Sequence, residues 1–262
     1  MNKAKISIIT VVYNSIDKIE ATIQSVINQT YFDIEYIIID GGSTDGTIDI
    51  IKKYTDRISL WISEPDKGVY DAMNKGIDMA TGKWINFMNA GDSFYNDTVI
   101  QSIFYSDIDK STTVIYGDTL NTFPFGSFLF KPSPLSQIER GMVFCHQSTF
   151  VKCDILRSYH FDKSFKISAD YNLFYNLYKK KYTFHYIPIC ISIYEVANEA
   201  ISNSSKLIKE EFLINHNRIL YYKRLFKYKT GCLFYAILPA KAVNEVKTKR
   251  MMKFSKINAK QN

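Results

Sequence analysis

The stretch from Glu64 to Asp92 decides the fold of this chain, and it reads EPDKGVYDAMNKGIDMATGKWINFMNAGD. Apolar side chains recur at helical spacing in its first half and predict a helix over residues 70–80. A short apolar run at residues 84–88 predicts a buried strand, and a polar segment that ends in Asp92 follows it. Because ligands bind beyond the carboxyl ends of strands in open α/β sheets, Asp92 is a candidate for binding a metal ion or a phosphate. The alternative is that Asp92 caps the helix that follows.

The chain before this stretch alternates between strand and helix patterns. The β-branched run at residues 6–12 is typical of a central strand buried on both faces, and a helix with an apolar face follows it. A second buried strand is predicted at residues 36–39, a helix at about 48–54 and a third strand at 60–62. This order predicts an α/β fold with a doubly wound, mainly parallel sheet.

Polar residues follow the predicted strand ends. Asp40 ends the second strand, Asp66 follows the third and Asp92 follows the fourth. The carboxyl ends of parallel strands share one edge of the sheet, so we expect these acids to converge there. The loop after Asp40, GGSTDGT, matches neither GxGxxG nor GxxxxGK[ST], which argues against a dinucleotide site or a P-loop.

The composition indicates a globular protein that is large enough to bury a substantial core. The chain has 262 residues, of which 46% are hydrophobic and 15% aromatic. Its four cysteines form no CxxC pair, which is typical of thiols in a reducing compartment. The N-terminal sequence has no signal-peptide layout, and no apolar run reaches the roughly 18 residues that span a membrane. We therefore expect a cytoplasmic protein.

The positive charge is confined to the C-terminal part of the chain. Residues 206–262 contain 14 Lys and Arg against 3 Glu, a net charge of +11, which leaves 7 − 11 = −4 for residues 1–205. We expect a catalytic domain over 1–205 and a basic helical tail over 206–262. An apolar stripe within the tail and a short run at 232–238 favour an interfacial anchor on an anionic surface, with the alternative that the tail packs on the domain. The stripe consists of Ile208, Phe212, Ile219, Tyr222 and Phe226.

The second half of the chain supplies two further candidate site residues. His146 follows a short apolar run at 141–145; it is either a partly buried histidine with satisfied hydrogen bonds or a contact to a phosphate, a metal ion or an acceptor. Asp170 opens an amphipathic helix, where the helix dipole alone favours an acid. Strands are predicted at 114–118 and 184–194, and a loop-rich crossing at 123–134.

Three motifs in this order resemble those of the family 2 glycosyltransferases: SIITVVYN, IIIDGGSTDGT and the stretch from Glu64 to Asp92. The resemblance is strong over roughly residues 5–95. Members of this family are inverting, nucleotide-sugar-dependent enzymes with the GT-A fold, and bacterial polysaccharide enzymes form a large group among them. The resemblance therefore implies a GT-A-type sheet for this chain.

The resemblance also implies roles for single residues. Asp170 would be the catalytic base, and Asp92 would bind Mn²⁺ or Mg²⁺. Asn89 and Asp92 match the first and last positions of the family's metal-binding D-x-D-D motif, so that Asp92 is the only carboxylate left in it. Asp40 would contact the uracil or ribose. The full set of residues implied to bind substrate is Thr10, Val12, Asn14, Asp40, Asp66, Lys67, Asn89 and His146.

The function that follows is transfer of a hexose from a nucleotide sugar, UDP-Glc, UDP-Gal or UDP-GlcNAc, to a sugar on a lipid pyrophosphate. The product would be a β-linkage in O-antigen or another surface polysaccharide, made on the cytoplasmic face of the inner membrane. A non-catalytic sugar-nucleotide-binding subunit is the alternative. A nucleic-acid-binding protein is disfavoured because the front domain is acidic and the tail has no recognised binding motif. A nucleotidyltransferase is disfavoured because no Gly- and Arg/Lys-rich loop follows the first strand.

Overall fold

The computed structural model describes residues 4–123, 126–196 and 204–236, with side chains up to residue 230. The described residues form nine strands in one sheet. The strands are β1 Ile6–Val12, β2 Ile34–Asp40, β3 Leu60–Ser63, β4 Trp84–Phe87, β5 Ser93–Phe94, β6 Val114–Phe123, β7 Gly126–Phe130, β8 Thr149–Lys152 and β9 Phe184–Glu195. The helices are α1 Ile16–Ile27, α2 Thr47–Lys53, α3 Val69–Met79, α4 Val99–Phe104, α5 Cys153–Tyr159, α6 Ala169–Lys179, α7 Ser205–Asn215 and α8 Arg218–Ala236.

The sheet confirms the predicted α/β class and GT-A architecture. Its strand order is β3-β2-β1-β4-β8-β6-β9-β5, with β7 paired to β6. Strands β3, β2, β1 and β4 are mutually parallel, as the alternation of strand and helix patterns predicts. Beyond β4, the strands β8, β6 and β7 join in antiparallel pairs, and β9 runs parallel to β6. The parallel half of the sheet therefore carries the motifs of the first hundred residues.

The central strand β1 is buried on both faces of the sheet. Successive side chains of a strand point to opposite faces, and Ile8 and Ile9 accordingly belong to two different apolar clusters. Helix α3 packs on the Ile9 side: a Cβ added at Gly76 would lie 2.6 Å from Ile9 Cγ2, so only glycine allows this close approach. Through this contact, helix α3 of the stretch that begins at Glu64 packs directly against the core.

A buried carboxylate joins three segments at the edge of the sheet that is opposite to the strand ends. Glu35 of β2 accepts hydrogen bonds from Ser7, Thr81 and Lys5 at 2.5–3.0 Å. Burial alone would raise the pKa of Glu35, but these hydrogen bonds outweigh it and lower the pKa to about 2. The folded state therefore stabilises the ionised form of Glu35 much more than the unfolded state does.

We expect Glu35→Gln to lower the free energy of unfolding at pH 7 by about 2–3 kcal/mol, the order that a pKa difference of this size implies. The lowered pKa stabilises the fold above the unfolded-state pKa, and this stabilisation is lost as the pH falls towards 2. The difference between variant and wild type in urea titrations should therefore shrink from pH 5 downwards. Asp49→Asn is the matched control, because the Asp49 side chain is 78% exposed and pairs with Lys52 at the surface. Equal losses in both variants would contradict the expectation.

The two tail helices differ in how they pack. Ile208 and Ile214 of α7 are buried against the rest of the structure. Helix α8 contacts α7 through the rings of Phe212 and Tyr221, whose centroids lie 4.7 Å apart, and through an ion pair between Arg224 and Glu211. Three apolar side chains of α8 are largely exposed: Ile219 at 84%, Tyr222 at 66% and Phe226 at 72%. The predicted stripe is thus divided between a packed helix and an exposed one.

One detail of the fold differs from the sequence-based expectations, one expectation stays a prediction, and one part of the tail lies outside the described residues. The predicted loop-rich crossing at 123–134 contains a strand, β7, because Thr119 to Phe123 pair with it in a hairpin. The predicted domain boundary at residue 205 stays a prediction. The end of the basic tail, residues 237–262, and the side chains of the apolar run at 232–238 lie outside the described residues. No helix within the described ranges is both long and apolar enough to cross a bilayer.

Candidate active site

The carboxyl ends of the four parallel strands meet at one edge of the sheet. Asp40 pairs in register with Val12 of β1 and with Ser63 of β3. Beyond β4, the amides of Met88 and Ala90 continue along β1 by donating to the carbonyls of Ile9 and Val11. The segment that leads to Asp92 therefore lies beside the end of β1, as the parallel topology predicts.

Asp40 is fully buried and holds the loop that follows it. Its carboxylate accepts four hydrogen bonds: from the amides of Gly42 and Ser43, from the Ser43 hydroxyl and from the Ser63 hydroxyl, at 2.5–3.0 Å. Both carboxylate oxygens thus have donors within the protein. The predicted contact of Asp40 with uracil or ribose stays a prediction, whereas its contacts in the structure fix the backbone of residues 41–43.

The residues predicted to line the nucleoside pocket occupy two environments. Thr10 is buried, and its hydroxyl donates to the Met88 carbonyl at 2.7 Å. Val12 is 5% exposed and belongs to the core below the sheet edge. Asn14 is exposed; its side-chain oxygen accepts from the Thr44 amide at 2.9 Å, and its φ of 44° places it in the left-handed region. Asn14 is therefore exposed just beyond the end of β1, whereas Thr10 and Val12 are buried within the strand.

Asp66 approaches the same loop from the far side. A Cβ added at Gly41 would lie 2.5 Å from Oδ2 of Asp66 and 3.3 Å from the ring of Tyr13, so glycine is required for this approach. Oδ1 of Asp66 accepts from the Gly68 amide at 2.7 Å. Lys67 is exposed, and Tyr13 is 63% exposed. This side of the site thus offers a carboxylate, an ammonium group and an aromatic face to a ligand.

A second group of polar residues connects β4 to α6. His146 lies between Asn89 and Asp170: its Nε2 is 3.4 Å from Asn89 Nδ2, and its Nδ1 is 3.3 Å from Asp170 Oδ2. Burial alone would lower the pKa of His146, but the hydrogen bond and charge of Asp170 and the charge of Asp92 raise it overall. His146 is partly buried with a partner at each ring nitrogen, and its predicted contact with substrate stays a prediction.

Asp92 caps no helix, which excludes the alternative role for this residue. The next helix, α4, has Thr98 at its N-cap, and Asp92 is followed instead by β5. The Asp92 carboxylate is buried and accepts a hydrogen bond from Gln147 Nε2 at 3.1 Å. Burial raises its pKa to about 6, although His146, Gln147 and Lys18 act in the opposite direction. A buried carboxyl group that caps no helix and whose pKa is raised by desolvation is typical of a functional site.

Asp170 lies in the first turn of α6 with a defined set of donors. Its Oδ1 accepts from the Tyr171 amide at 2.8 Å and lies 3.2 Å from the Tyr70 hydroxyl, while Oδ2 faces His146. Tyr70 also donates to the Ile167 carbonyl at 2.7 Å. Burial, together with the neighbouring Asp170, raises the pKa of Tyr70, which therefore stays protonated and acts as a donor. The contacts orient the carboxylate and leave its side chain 18% exposed.

The residues near Asp92 suit a hard divalent cation that is also bound by a ligand. Oδ1 of Asn89 is buried and has no hydrogen-bond partner among the described residues, which leaves an amide oxygen ready to coordinate. Amide and carboxylate oxygens are the donors that Mg²⁺ and Mn²⁺ prefer. No group of three or more His, Cys, Asp or Glu side chains with metal-site geometry occurs within the described ranges. The protein alone thus offers only part of a coordination sphere, and diphosphate oxygens would have to complete it.

Three residues that contribute to this site are absent from the predicted set. Tyr70 was assigned only to the start of a helix, although it lies in the strongest motif and contacts the segment that carries Asp170. Gln147 follows His146 in the chain, and nothing in the sequence pairs it with Asp92. Tyr13 lies within the motif SIITVVYN, but the exposure of its side chain is evident only from the structure.

The sequence profile described as Glycosyl transferase family 2 matches residues 7–191, which is more than two thirds of the chain. The chain belongs to glycosyl transferase family 2. It is therefore a glycosyltransferase, and its sheet is the GT-A sheet of that family. The matched range includes all the predicted site residues, from Thr10 to Asp170.

This family 2 glycosyltransferase resembles proteins of several bacteria in sequence. A "PGL/p-HBAD biosynthesis glycosyltransferase" of Mycobacterium bovis is 28% identical over 222 residues, which cover 79% of this chain and 82% of the relative. A "Putative teichuronic acid biosynthesis glycosyltransferase TuaG" of Bacillus subtilis is 26% identical over 229 residues, which cover 81% and 87%.

Solved structures share the fold at lower identity. S. aureus TarS 1-349 in complex with UDP-GlcNAc has a TM-score of 0.68 and 16% identity, covering 90% of this chain and 77% of TarS 1-349. The mannosyltransferase PcManGT from Pyrobaculum calidifontis, in complex with GDP-Man and Mn²⁺, has a TM-score of 0.66 and 15% identity, covering 100% and 84%. At these identities the likeness shows the fold alone.

Proposed function

We propose that this glycosyltransferase moves a hexose from a UDP-sugar to a hydroxyl of a lipid-linked sugar, with inversion at the anomeric carbon. The observation that carries the proposal is the continuous polar chain Asn89–His146–Asp170, which places an oriented carboxylate close to the segment that ends in Asp92. Transfer from a nucleotide sugar needs both a base for the acceptor hydroxyl and stabilisation of the departing diphosphate. The two ends of this chain supply candidates for these two tasks.

Asp170 is the proposed base. Its Oδ1 is held by the Tyr171 amide and Tyr70, and its Oδ2 faces the site beside His146. A carboxylate that takes the proton of the acceptor hydroxyl as the hydroxyl attacks the anomeric carbon supports a single in-line displacement. One displacement inverts the anomeric centre, so an α-linked donor yields a β-linked product. Because the transfer takes place in one displacement, the protein needs no nucleophilic residue.

Asn89 Oδ1 and Asp92 are the proposed ligands of Mn²⁺ or Mg²⁺. A divalent cation bound here would neutralise charge on the departing diphosphate. The orphaned amide oxygen of Asn89 supports this assignment. His146 lies beside Asn89, and its raised pKa favours the protonated ring. In that form Nε2 cannot accept from Asn89 Nδ2 and is the proposed donor of a hydrogen bond to a phosphate oxygen of the nucleotide sugar.

The nucleoside is proposed to bind at the loop 41–43. Tyr13 offers an exposed ring beside Gly41, and Asp66 offers a carboxylate oxygen at the same place, so a base can stack while the ribose or base edge donates to Asp66. Lys67 is proposed to approach the sugar nucleotide. In this arrangement Asp40 holds the loop through its hydrogen bonds to the loop amides. A direct contact between Asp40 and the uracil or ribose is also proposed.

The acceptor class is proposed from the relatives and from the charge of the tail. The TuaG relative is named for teichuronic acid biosynthesis, which supports a cell-surface glycan as the product, such as O-antigen or another polysaccharide. A growing glycan of this kind on a lipid pyrophosphate lies at the cytoplasmic face of the inner membrane. The basic tail would bring the active site to that surface.

A donor screen tests the proposed function. Purified full-length protein would be incubated with UDP-Glc, UDP-Gal, UDP-GlcNAc and GDP-Man, each with Mn²⁺ and a GlcNAc- or GalNAc-pyrophosphate-lipid acceptor, and products identified by mass spectrometry. We expect one UDP-hexose to be transferred and its β-linkage to be visible by NMR. Binding of UDP-sugars without any transfer would instead support the alternative, a non-catalytic binding subunit. An α-linked product from an α-linked donor would overturn the inverting mechanism.

The exposed side chains of α8 give a prediction on membrane binding. Ile219, Tyr222 and Phe226 are 66–84% exposed amid lysines, which is the composition of a helix that inserts shallowly into an anionic surface. Replacing all three by serine in the full chain should lower binding to phosphatidylglycerol vesicles about tenfold or more in sedimentation assays at low salt. Transfer to long-chain lipid acceptors should fall, and transfer to short soluble analogues should not.

The control replaces an exposed aromatic residue on another face. Phe32 is 68% exposed and lies between α1 and β2, far along the chain from α8, so Phe32→Ser should leave vesicle binding unchanged. The substitutions in α8 are preferable to truncation at Ser205, since truncation also removes α7, which packs through Ile208 and Ile214. Wild-type protein that fails to bind anionic vesicles at low salt would overturn the membrane proposal.

A further inference from the structure

Helix α7 places a buried carboxylate against the turn that precedes the proposed base. Glu210 is 8% exposed, and its side chain faces residues 166–168. Its Oε1 accepts a hydrogen bond from the Lys166 amide at 3.0 Å. Its Oε2 accepts from the amides of Ile167 and Ser168 at 2.9 and 3.0 Å. Three amides at the start of α6 therefore bind one side chain that lies more than 40 residues further along the chain.

This carboxylate binds the amide of the N-cap residue of α6 and the two amides before it, while the local N-cap side chain makes no hydrogen bond within the described ranges. Ser168 stands at the N-cap of α6, yet its hydroxyl is buried and has no hydrogen-bond partner within the described ranges. A serine at this position ordinarily accepts from an amide in the first turn of its helix. The carboxylate of Glu210 instead receives charge-assisted hydrogen bonds and lies near the positive end of the helix dipole. The geometry of this turn is thus set by α7 and not by its own residues.

The turn is held from its other side by α3. Tyr70 donates to the Ile167 carbonyl at 2.7 Å, so Ile167 is bound through its amide by Glu210 and through its carbonyl by Tyr70. Asp170 follows Ser168 by two residues, and any movement of the turn moves its carboxylate. A displacement of about 1 Å at a reacting group is enough to cost about 10²-fold in rate.

We propose that Glu210 is a positioning residue that holds Asp170 in place, and that the catalytic unit therefore includes α7. This inference rests on the proposed function, because it takes Asp170 as the base. It gives the tail a role in turnover that is separate from membrane binding. Helix α8 is linked to the same helix through the ion pair between Arg224 and Glu211.

The test compares Glu210→Gln and Glu210→Ala with wild type in the full chain. Glutamine keeps one acceptor oxygen and the size of the side chain, whereas alanine removes every acceptor. We expect kcat to fall about tenfold in the glutamine variant and about 10²-fold in the alanine variant, with the donor KM within twofold of wild type. Hydrogen–deuterium exchange at the amides of residues 166–168 should become faster in the same order.

The control for loss of packing is Ile208→Val, which trims a buried side chain of the same helix and keeps Glu210. We expect it to lower Tm while kcat, measured well below Tm, stays at the wild-type value. A kcat that falls in proportion to Tm in all three variants, or a wild-type kcat in both Glu210 variants, would overturn the proposal. A wild-type enzyme without transfer to any acceptor would refute the proposed function. In that case, unchanged amide exchange in Glu210→Ala would separately refute the positioning role.

Discussion

Asp170→Asn is expected to lower kcat by about 10²-fold or more, with the donor KM close to wild type. Asparagine keeps the shape of the side chain and its acceptor for the Tyr171 amide, but it cannot take a proton from the acceptor hydroxyl. Single-turnover transfer under saturating donor and acceptor measures the effect on the chemical step. Because His146 lies 3.3 Å from Asp170 Oδ2, the variant also removes the partner charge of that histidine.

A second acid at the equivalent position of another helix provides the matched control. Asp154 is the second residue of α5, as Asp170 is the second residue of α6, and Asp154 is exposed. Asp154→Asn removes the same interaction with a helix dipole and should leave kcat unchanged. Near-normal turnover in Asp170→Asn would remove this residue from the mechanism and leave His146 as the next candidate for the base. Equal small losses in both variants would mean that Asp170 serves its helix only.

Asp92→Asn is expected to abolish metal-dependent transfer, with kcat/KM reduced by about 10³-fold and no loss in Tm, because the neutral amide avoids the cost of burying a charge. The carboxylate is the only one in its motif, and its one side-chain donor among the described residues is Gln147. Several kcal/mol of charge stabilisation by a bound cation correspond to a rate effect of this size. Assays after EDTA treatment, with Mn²⁺ or Mg²⁺ added back, measure the dependence on metal directly.

The raised pKa of Asp92 gives this prediction a pH signature. Burial raises the pKa to about 6, so a proton competes with the cation for the carboxylate below that pH. The metal concentration for half-maximal activity should therefore rise about tenfold for each pH unit below 6 and level off above it. Asp97→Asn, at an exposed acid five residues further on, should keep the wild-type metal response. Full activity of the EDTA-treated enzyme would refute the metal assignment and require a cationic side chain at the diphosphate.

The parallel half of the fold was predictable because its signals are local. Six of the seven residues at 6–12 are β-branched, which is typical of a strand buried on both faces, so the bounds of β1 were predictable. The convergence of Asp40 and the segment before Asp92 at one edge follows from parallel topology alone. The strand β7 is absent from the prediction because its partner strand β6 continues five residues past the predicted end at 118, and β7 pairs with those residues.

The contacts that orient the site were not predictable from the sequence, since they depend on tertiary neighbours. Asp170 and His146 were named separately, but their 3.3 Å separation joins residues 24 positions apart on different elements. Glu210 lies in a segment that reads as a basic amphipathic helix, and its own neighbours give no sign that it binds the turn before α6. The pattern indicates which face of a helix is apolar; it does not indicate which polar side chain crosses to another element.

The fourfold hydrogen bonding of Asp40 has a thermodynamic consequence for donor recognition. All four donors belong to the protein itself, so the loop 41–43 has its backbone fixed before any ligand arrives. Immobilising a residue's backbone costs about 1–2 kcal/mol of conformational entropy. In this enzyme that cost is met once, when the chain folds, and it does not recur with each catalytic cycle. At the proposed nucleoside site the loop would thus act as a rigid template, whose affinity reflects the contacts it makes with the nucleoside and not the work of ordering itself.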